Sequence, residues 1–183
     1  MSEKIGNHYK VVFLGDIGVG KTSLKYRIDS RWFEPPTLGA DIRTLHYRLI
    51  NENIIANVSY WDLIQYEEYQ MKSFYPRFLQ NYLQNSAGIL LIFDVSRRST
   101  FDNLENWRLE FEEISKKNAI GAVIGNKIDL PRTVACDEGK KYASKHHFLY
   151  CETSAKKNTN VKETFDQFLC KIFNTNEFFL IND

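Results

Sequence analysis

The sequence is short of cysteine, of net charge and of long hydrophobic runs. Its three cysteines, Cys136, Cys151 and Cys170, match neither a zinc-site spacing nor a disulfide framework, so a reducing, cytosolic setting is expected. Lysine and arginine total 24 against 23 acids, a net charge of +1. That balance gives no global electrostatic case for binding nucleic acid or an anionic membrane. No run is long and apolar enough to span a bilayer. The stretch from Met1 to Gly6 lacks the apolar core of a secretory signal. Internal repeats and low-complexity tracts are absent. What is present is a globular balance, 43% hydrophobic and 26% charged over 183 residues, which excludes disorder as the main state. The length suits a single domain, 1–183. Any specialised chemistry must therefore be local.

Short β-rich runs alternate with helical patterns, which predicts an α/β fold with a mostly parallel sheet. Strands are expected at Tyr9–Leu14, at Ile42–Ile50 and Ile54–Trp61 around an Asn51-Glu52-Asn53 turn, at Gly88–Asp94, at Ala119–Gly125 and at Phe148–Cys151. The second and third should pair antiparallel across their turn. Helices are expected over about Lys21–Ile28, Ser99–Lys117, Asp137–His146 and Val161–Phe173. In the second of these, Phe101, Leu104, Trp107, Phe111 and Ile114 form one apolar stripe. Ser99 or Thr100 is its expected cap, with Asp102 in the first turn. The tail Phe178-Phe179-Leu180-Ile181 is apolar, and either packs back on the domain or begins a longer chain.

The run Gly15-Asp16-Ile17-Gly18-Val19-Gly20-Lys21-Thr22 fits G-x-x-x-x-G-K-[ST] without mismatch, between a predicted strand and a predicted helix. Its glycines let successive backbone N–H groups point into one concavity, and the helix start adds partial positive charge. Lys21 offers a full charge to outer phosphates and Thr22 a hydroxyl to Mg²⁺. This loop specifies a nucleoside triphosphate. The base is specified by Asn126-Lys127-Ile128-Asp129, directly after a strand. The Asp129 carboxylate can accept from the ring N–H and exocyclic amine of guanine, a donor pair that adenine lacks. Facing adenine it would be left unpaired, at a cost of about 1–3 kcal/mol. The Lys127 stem can lie over the base. Glu152-Thr153-Ser154-Ala155-Lys156 can present an N–H to the guanine carbonyl and brace Asp129 through Ser154.

These three motifs, with Phe93-Asp94-Val95-Ser96, Ser99–Trp107 and Thr37-Leu38-Gly39-Ala40-Asp41-Ile42, resemble a Ras-superfamily small GTPase, and within it the Rab branch. The resemblance covers about His8–Asn174, which is taken as the core. It implies a P-loop NTPase-type three-layer α/β/α fold, with six strands and one of them antiparallel. It also implies binding of GDP or GTP with Mg²⁺ and a monomeric switch acting in vesicle trafficking. Nucleotide contact is carried onto Asp16, Ile17, Gly18, Val19, Gly20, Lys21, Thr22 and Ser23, onto Phe33 and Thr37, onto Asn126, Lys127, Asp129 and Leu130, and onto Ser154, Ala155 and Lys156. Metal contact is carried onto Thr22, Thr37 and Asp62. Effector, exchange-factor and GAP proteins would engage the switch regions. The implied location is cytoplasmic, or peripheral on an endomembrane.

The departures from the family are also informative. Where most members read D-x-x-G-Q-E, this chain reads Asp62-Leu63-Ile64-Gln65-Tyr66-Glu67. Aligned without a gap, Gln65 replaces the glycine whose N–H meets the γ-phosphate, and Tyr66 replaces the glutamine that orients the attacking water. With a one-residue deletion, Gln65 takes the glutamine position instead. Glu67 and Tyr69 favour the gapless alignment. Ile17 stands where the family carries a small residue, and its branched side chain crowds the γ-phosphate and an inserted arginine. Catalysis, with Lys21 as a catalytic residue, is then expected to rest mainly on phosphate and Mg²⁺ electrostatics, and hydrolysis to be slow. The first switch is a few residues short, with Pro35 and Pro36 stiffening it. The second, from Leu63 to about Ser86, is long and rich in aromatics, and its helix is expected to pack mostly on its own domain. Rabs usually end in prenylated cysteines, whereas Cys170 lies inside a helix and leaves membrane contact open. The competing reading is an inactive module holding nucleotide as a structural ligand. A nucleotide kinase is disfavoured by Asp129 and the Glu152–Lys156 run.

Overall fold

The computed structural model describes residues 4–28, 40–50, 54–63, 75–115 and 119–181. Seven strands form one sheet: β1 (Lys4–Leu14), β2 (Ala40–Leu49), β3 (Ile54–Leu63), β4 (Gly88–Asp94), β5 (Ile120–Asn126), β6 (Leu149–Thr153) and β7 (Phe178–Leu180). The helices are α1 (Lys21–Arg27), α2 (Tyr75–Leu83), α3 (Arg98–Asp102), α4 (Leu104–Ser115), α5 (Cys136–Lys145) and α6 (Val161–Phe173). The strand order is β6-β5-β4-β1-β3-β2-β7. The pairs β1·β3, β1·β4, β4·β5 and β5·β6 are parallel, while β2 runs antiparallel to both β3 and β7.

The central strands are apolar on both faces because helices cover both, as in doubly covered parallel sheets. Alternation along each strand sends successive residues to opposite layers. Val11, Phe13, Leu90, Ile92 and Ile124 join Leu24 of α1 and Phe165, Phe168 and Leu169 of α6 in one core. Val12, Leu14, Ile89, Leu91, Phe93 and Val123 join α2, α4 and α5 in the other, through Leu79, Tyr82, Leu83, Trp107, Phe111 and Ala143. The result is the expected three-layer α/β/α arrangement. In α2 the buried Leu79, Tyr82 and Leu83 confirm that this helix packs on its own domain. The Tyr82 hydroxyl donates to the main-chain oxygen of Trp61.

Three expectations need correction. The sheet has seven strands rather than six, because the tail folds back as β7, pairing Phe178 with Leu49 and Leu180 with Tyr47. Its reason is aromatic: Phe178 meets Phe173 edge to face at 5.1 Å and Tyr47 at 5.9 Å. The expectation of a single antiparallel strand stands, since β7 opposes β2 and therefore runs with the others. The 99–117 helix is broken at Asn103, whose side-chain amide donates to Asp16 Oδ1 (2.6 Å) and ties this turn to the loop between β1 and α1. Its capping also differs. Arg97 is the N-cap, while the Thr100 hydroxyl lies inside the first turn, donating to Arg97 O (2.7 Å) and accepting from Asp94 N–H (3.0 Å).

Candidate functional site

The loop from Gly15 to Gly20 joins β1 to α1 at the carboxyl edge of the sheet, beside the point where the order turns from β1 to β4. In open α/β sheets such a crevice is where ligands bind. Three glycines take left-handed backbone there, Gly15 (φ 140°), Gly18 (φ 75°) and Gly20 (φ 103°). A Cβ on Gly15 would sit 2.1 Å from Ile92 O, and one on Gly20 would sit 2.3 Å from Asn126 Nδ2. Sterics and torsion thus both demand glycine at these two positions. Lys21 is nearly buried and donates to Gly15 O (2.7 Å) and Asp16 O (2.9 Å). Burial pulls its ammonium down to about 8, partly opposed by Asp62 and Asp16. The Asp16 carboxylate accepts from Asn103 Nδ2 and from Trp107 Nε1 (2.9 Å), so this side chain braces the loop against α4. Ile17 is 40% exposed, and its carbonyl accepts from Arg97 Nη2 (2.7 Å). Val19 is buried, and Ser23 is half-buried.

Asn126, 1% exposed, joins the three motifs. Its Nδ2 donates to Val19 O (2.9 Å), and its Oδ1 accepts from Thr153 Oγ1 (3.1 Å) and from Ala155 N–H (3.1 Å). That last bond commits the Ala155 N–H to Asn126. Asp129 is partly exposed and accepts from Ser154 Oγ at 2.5 Å, the foreseen brace, which lowers its pKa below the usual carboxylate value. Lys127 has left-handed backbone (φ 68°), and its ammonium pairs with Asp94 Oδ2 at 2.7 Å. Burial pushes the Asp94 carboxyl up, but hydrogen bonds from Lys127 and Ser96 more than offset this and leave it lowered. Leu130 and Lys156 are exposed.

Asp62, next to last in β3, lies directly beside Thr22, whose hydroxyl donates to Asp62 Oδ2 at 2.5 Å. Burial raises the pKa of this carboxyl, against the Thr22 hydrogen bond and the charges of Lys25 and Lys21. Its second oxygen, Oδ1, is buried without a hydrogen-bond partner among the described residues. An orphaned carboxylate oxygen beside a threonine hydroxyl is a hard-oxygen set that suits Mg²⁺. Phe33, Thr37, Gln65 and Tyr66 lie outside the described residues.

Comparison with known proteins agrees with this geometry. The model of the Ras family matches residues 10–174. The chain belongs to the Ras family. Within it the relatives are Rab-type. Ras-related protein RIC2 of Oryza sativa subsp. japonica is 34% identical over 90% of this chain and 75% of its own length. Rab-18 of Caenorhabditis briggsae is 32% identical over 91% and 81%, and Rab-11A of Dictyostelium discoideum 32% over 90% and 76%. This small GTPase is thus a divergent member of the Rab branch.

The sequence reading passed over several residues that shape the GTPase site. Arg27 Nε donates to Ala155 O (2.9 Å), fastening α1 to the loop after β6. Thr153 holds Asn126, and Asp94 holds Lys127. Lys25, 0% exposed, pairs with Asp41. Its signal was a charge on the inner side of α1, next to buried Leu24.

Proposed function

We propose that this chain is a guanine-nucleotide switch that binds GDP or GTP with Mg²⁺ and hydrolyses GTP slowly, as a single G domain over 1–183. The observation that carries the reading is Asn126. One buried amide ties the phosphate loop, through Val19 O, to the loop after β6 at Ala155, where Ser154 in turn holds Asp129 of the loop after β5. A fixed spacing between an anion cradle and a base-reading carboxylate is what a nucleoside diphosphate requires.

The loop amides from Ile17 to Thr22 receive the phosphates, and Lys21 supplies the charge that stabilises the transferring phosphoryl group. Thr22 and Asp62, with Thr37, would hold Mg²⁺. When bound, the ion would neutralise charge on the terminal phosphates. Asp129 selects guanine, with Ser154 orienting its carboxylate, while Lys127 and Phe33 border the base. Slow hydrolysis follows from Tyr66 and Gln65, which leave the attacking water without the usual orienting side chain, and from the branched, partly exposed Ile17. Effectors, exchange factors and GAP proteins would read the segments around Phe33–Thr37 and Gln65–Tyr66. Vesicle trafficking, peripheral membrane residence and a monomeric state are further parts of the proposal. No described helix is long and apolar enough to cross a membrane. Gln65 and Tyr66, standing in place of the usual glycine and glutamine, also favour a second reading, an inactive module holding nucleotide structurally.

Chromatography of the nucleotide retained after purification tests the binding claim, with GDP or GTP expected. Absence of any guanine nucleotide, together with no uptake of added GDP, would overturn it. Single-turnover GTP cleavage separates the two readings. Slow but measurable turnover, faster in a Gln65→Gly/Tyr66→Gln variant, supports the switch. No turnover in either protein supports the module.

A further inference from the structure

Residue 25 lies on the inner side of α1, three positions after Thr22, in a site that is completely buried, yet it is a lysine. A buried ammonium persists only when it is paired. Lys25 Nζ pairs with the Asp41 carboxylate, donates to Asp41 O (3.2 Å) and lies 3.8 Å from Asp62 Oδ2. Asp41 and Asp62 stand directly opposite each other in the β2·β3 ladder. Two carboxylates in that register repel. The Tyr26 hydroxyl donates to Asp41 Oδ2 (3.1 Å), but it brings no charge. The charge of Lys21 also reaches Asp62, but among the described residues Lys25 is the ammonium within 4 Å of both acids at the corner where Thr22 meets Asp62.

We propose that Lys25 is a resident competitor of the divalent cation, neutralising Asp62 from behind and lowering the Mg²⁺ affinity of the nucleotide complex. The inference rests on the guanine-nucleotide reading above. A divalent ion using Asp62 meets a carboxylate already shared with an ammonium, inside a buried region where like charges are poorly screened. The ammonium cannot withdraw to water, because Asp41 holds it at the start of β2. Asp41 in turn divides the ammonium's attention. Without the Asp41 charge, Asp62 becomes its remaining carboxylate partner and the competition sharpens.

The test follows release of N-methylanthraniloyl-GDP from the loaded full chain as free Mg²⁺ is varied. The Mg²⁺ concentration at half-maximal retention is the readout. Lys25→Met should move that midpoint down by roughly tenfold or more, from the lost charge repulsion. Asp41→Asn should move it up. A purely structural role for the pair would speed release at every Mg²⁺ level without moving the midpoint, and that result would overturn the proposal, as would equal midpoints in all proteins. Should Lys25→Met fail to fold, the double variant Lys25→Met/Asp41→Asn removes both buried charges and must show the same downward shift. If the unaltered chain takes up no GDP at any Mg²⁺ level, the nucleotide reading itself fails. If it binds GDP with a midpoint the variants share, only the role of Lys25 falls.

Discussion

At the scale of the residue, Asn126 and Asp129 share a motif but differ in kind. Asn126 is buried, and its carboxamide serves a carbonyl, a hydroxyl and an N–H at once. Asn126→Ala strands those partners, each lost buried bond costing about 1–3 kcal/mol. A clear loss of stability is expected in urea unfolding of the nucleotide-free chain. Asp129 is partly exposed, with one oxygen held by Ser154. Asp129→Asn should leave the urea midpoint nearly unchanged, weaken GDP and GTP by at least roughly tenfold and admit xanthine nucleotides in competition assays, because a carbonyl and an amine replace two acceptors. The motifs were legible because their spacing is local. Lys25 was not, because its meaning comes from Asp41 and Asp62, brought opposite each other only when β2 and β3 pair. The pairing of the Ala155 N–H with Asn126 was hidden for the same reason.

At the scale of the element, β7 shows how short strands depend on what they cover. Phe178 packs edge to face on Phe173 and Tyr47, while Phe179 is 49% exposed. Phe178→Ala should therefore lower stability by ~1–2 kcal/mol, through lost burial and ring contacts. Phe179→Ala should change it by under ~0.5 kcal/mol. Urea midpoints of the two variants check the contrast. The link from α4 to α5 gives a pH dependence. Glu105 accepts from Arg108 Nε (2.9 Å) and Nη2 (2.7 Å) and from Tyr142 (3.0 Å), and the Arg108 bonds chiefly bring its pKa down to about 2 from 4.5. A folded-state pKa below the unfolded one means stabilisation present above 4.5 and lost as pH falls toward 2. The carboxylate is 40% exposed, so the effect is at most ~1 kcal/mol. The stability gap between the parent chain and Glu105→Gln should narrow from about pH 6 to about pH 3 and close only as pH falls below about 2. Helix α6 was read from the sequence with its observed bounds, because Val161, Phe165, Phe168, Leu169 and Ile172 repeat at helical spacing in an uninterrupted run. The 99–117 stripe repeats equally well, but periodicity is blind to the side chain of Asn103 reaching Asp16. In β7, three residues are too few for any period to register.

At the scale of the whole molecule, two apolar cores hold opposite faces of one sheet, and the proposed ligand site lies along its carboxyl edge. Ligand binding should therefore stabilise the fold as a unit. GDP at a hundredfold excess over its Kd, with Mg²⁺, is expected to add about 2.7 kcal/mol. For a domain of this size that is a rise in Tm of roughly 5–10 °C, whereas ADP at the same concentration should add little. Scanning calorimetry with each nucleotide decides the matter. The Asn126 clasp has a last consequence. Because one side chain spans both halves of the crevice, a tail of phosphates and a purine joined by a ribose act as two valences of a chelate, the first raising the effective concentration of the second. Guanosine alone or pyrophosphate alone forfeits that gain, and either fragment should be held far more loosely than its share of the intact molecule would suggest.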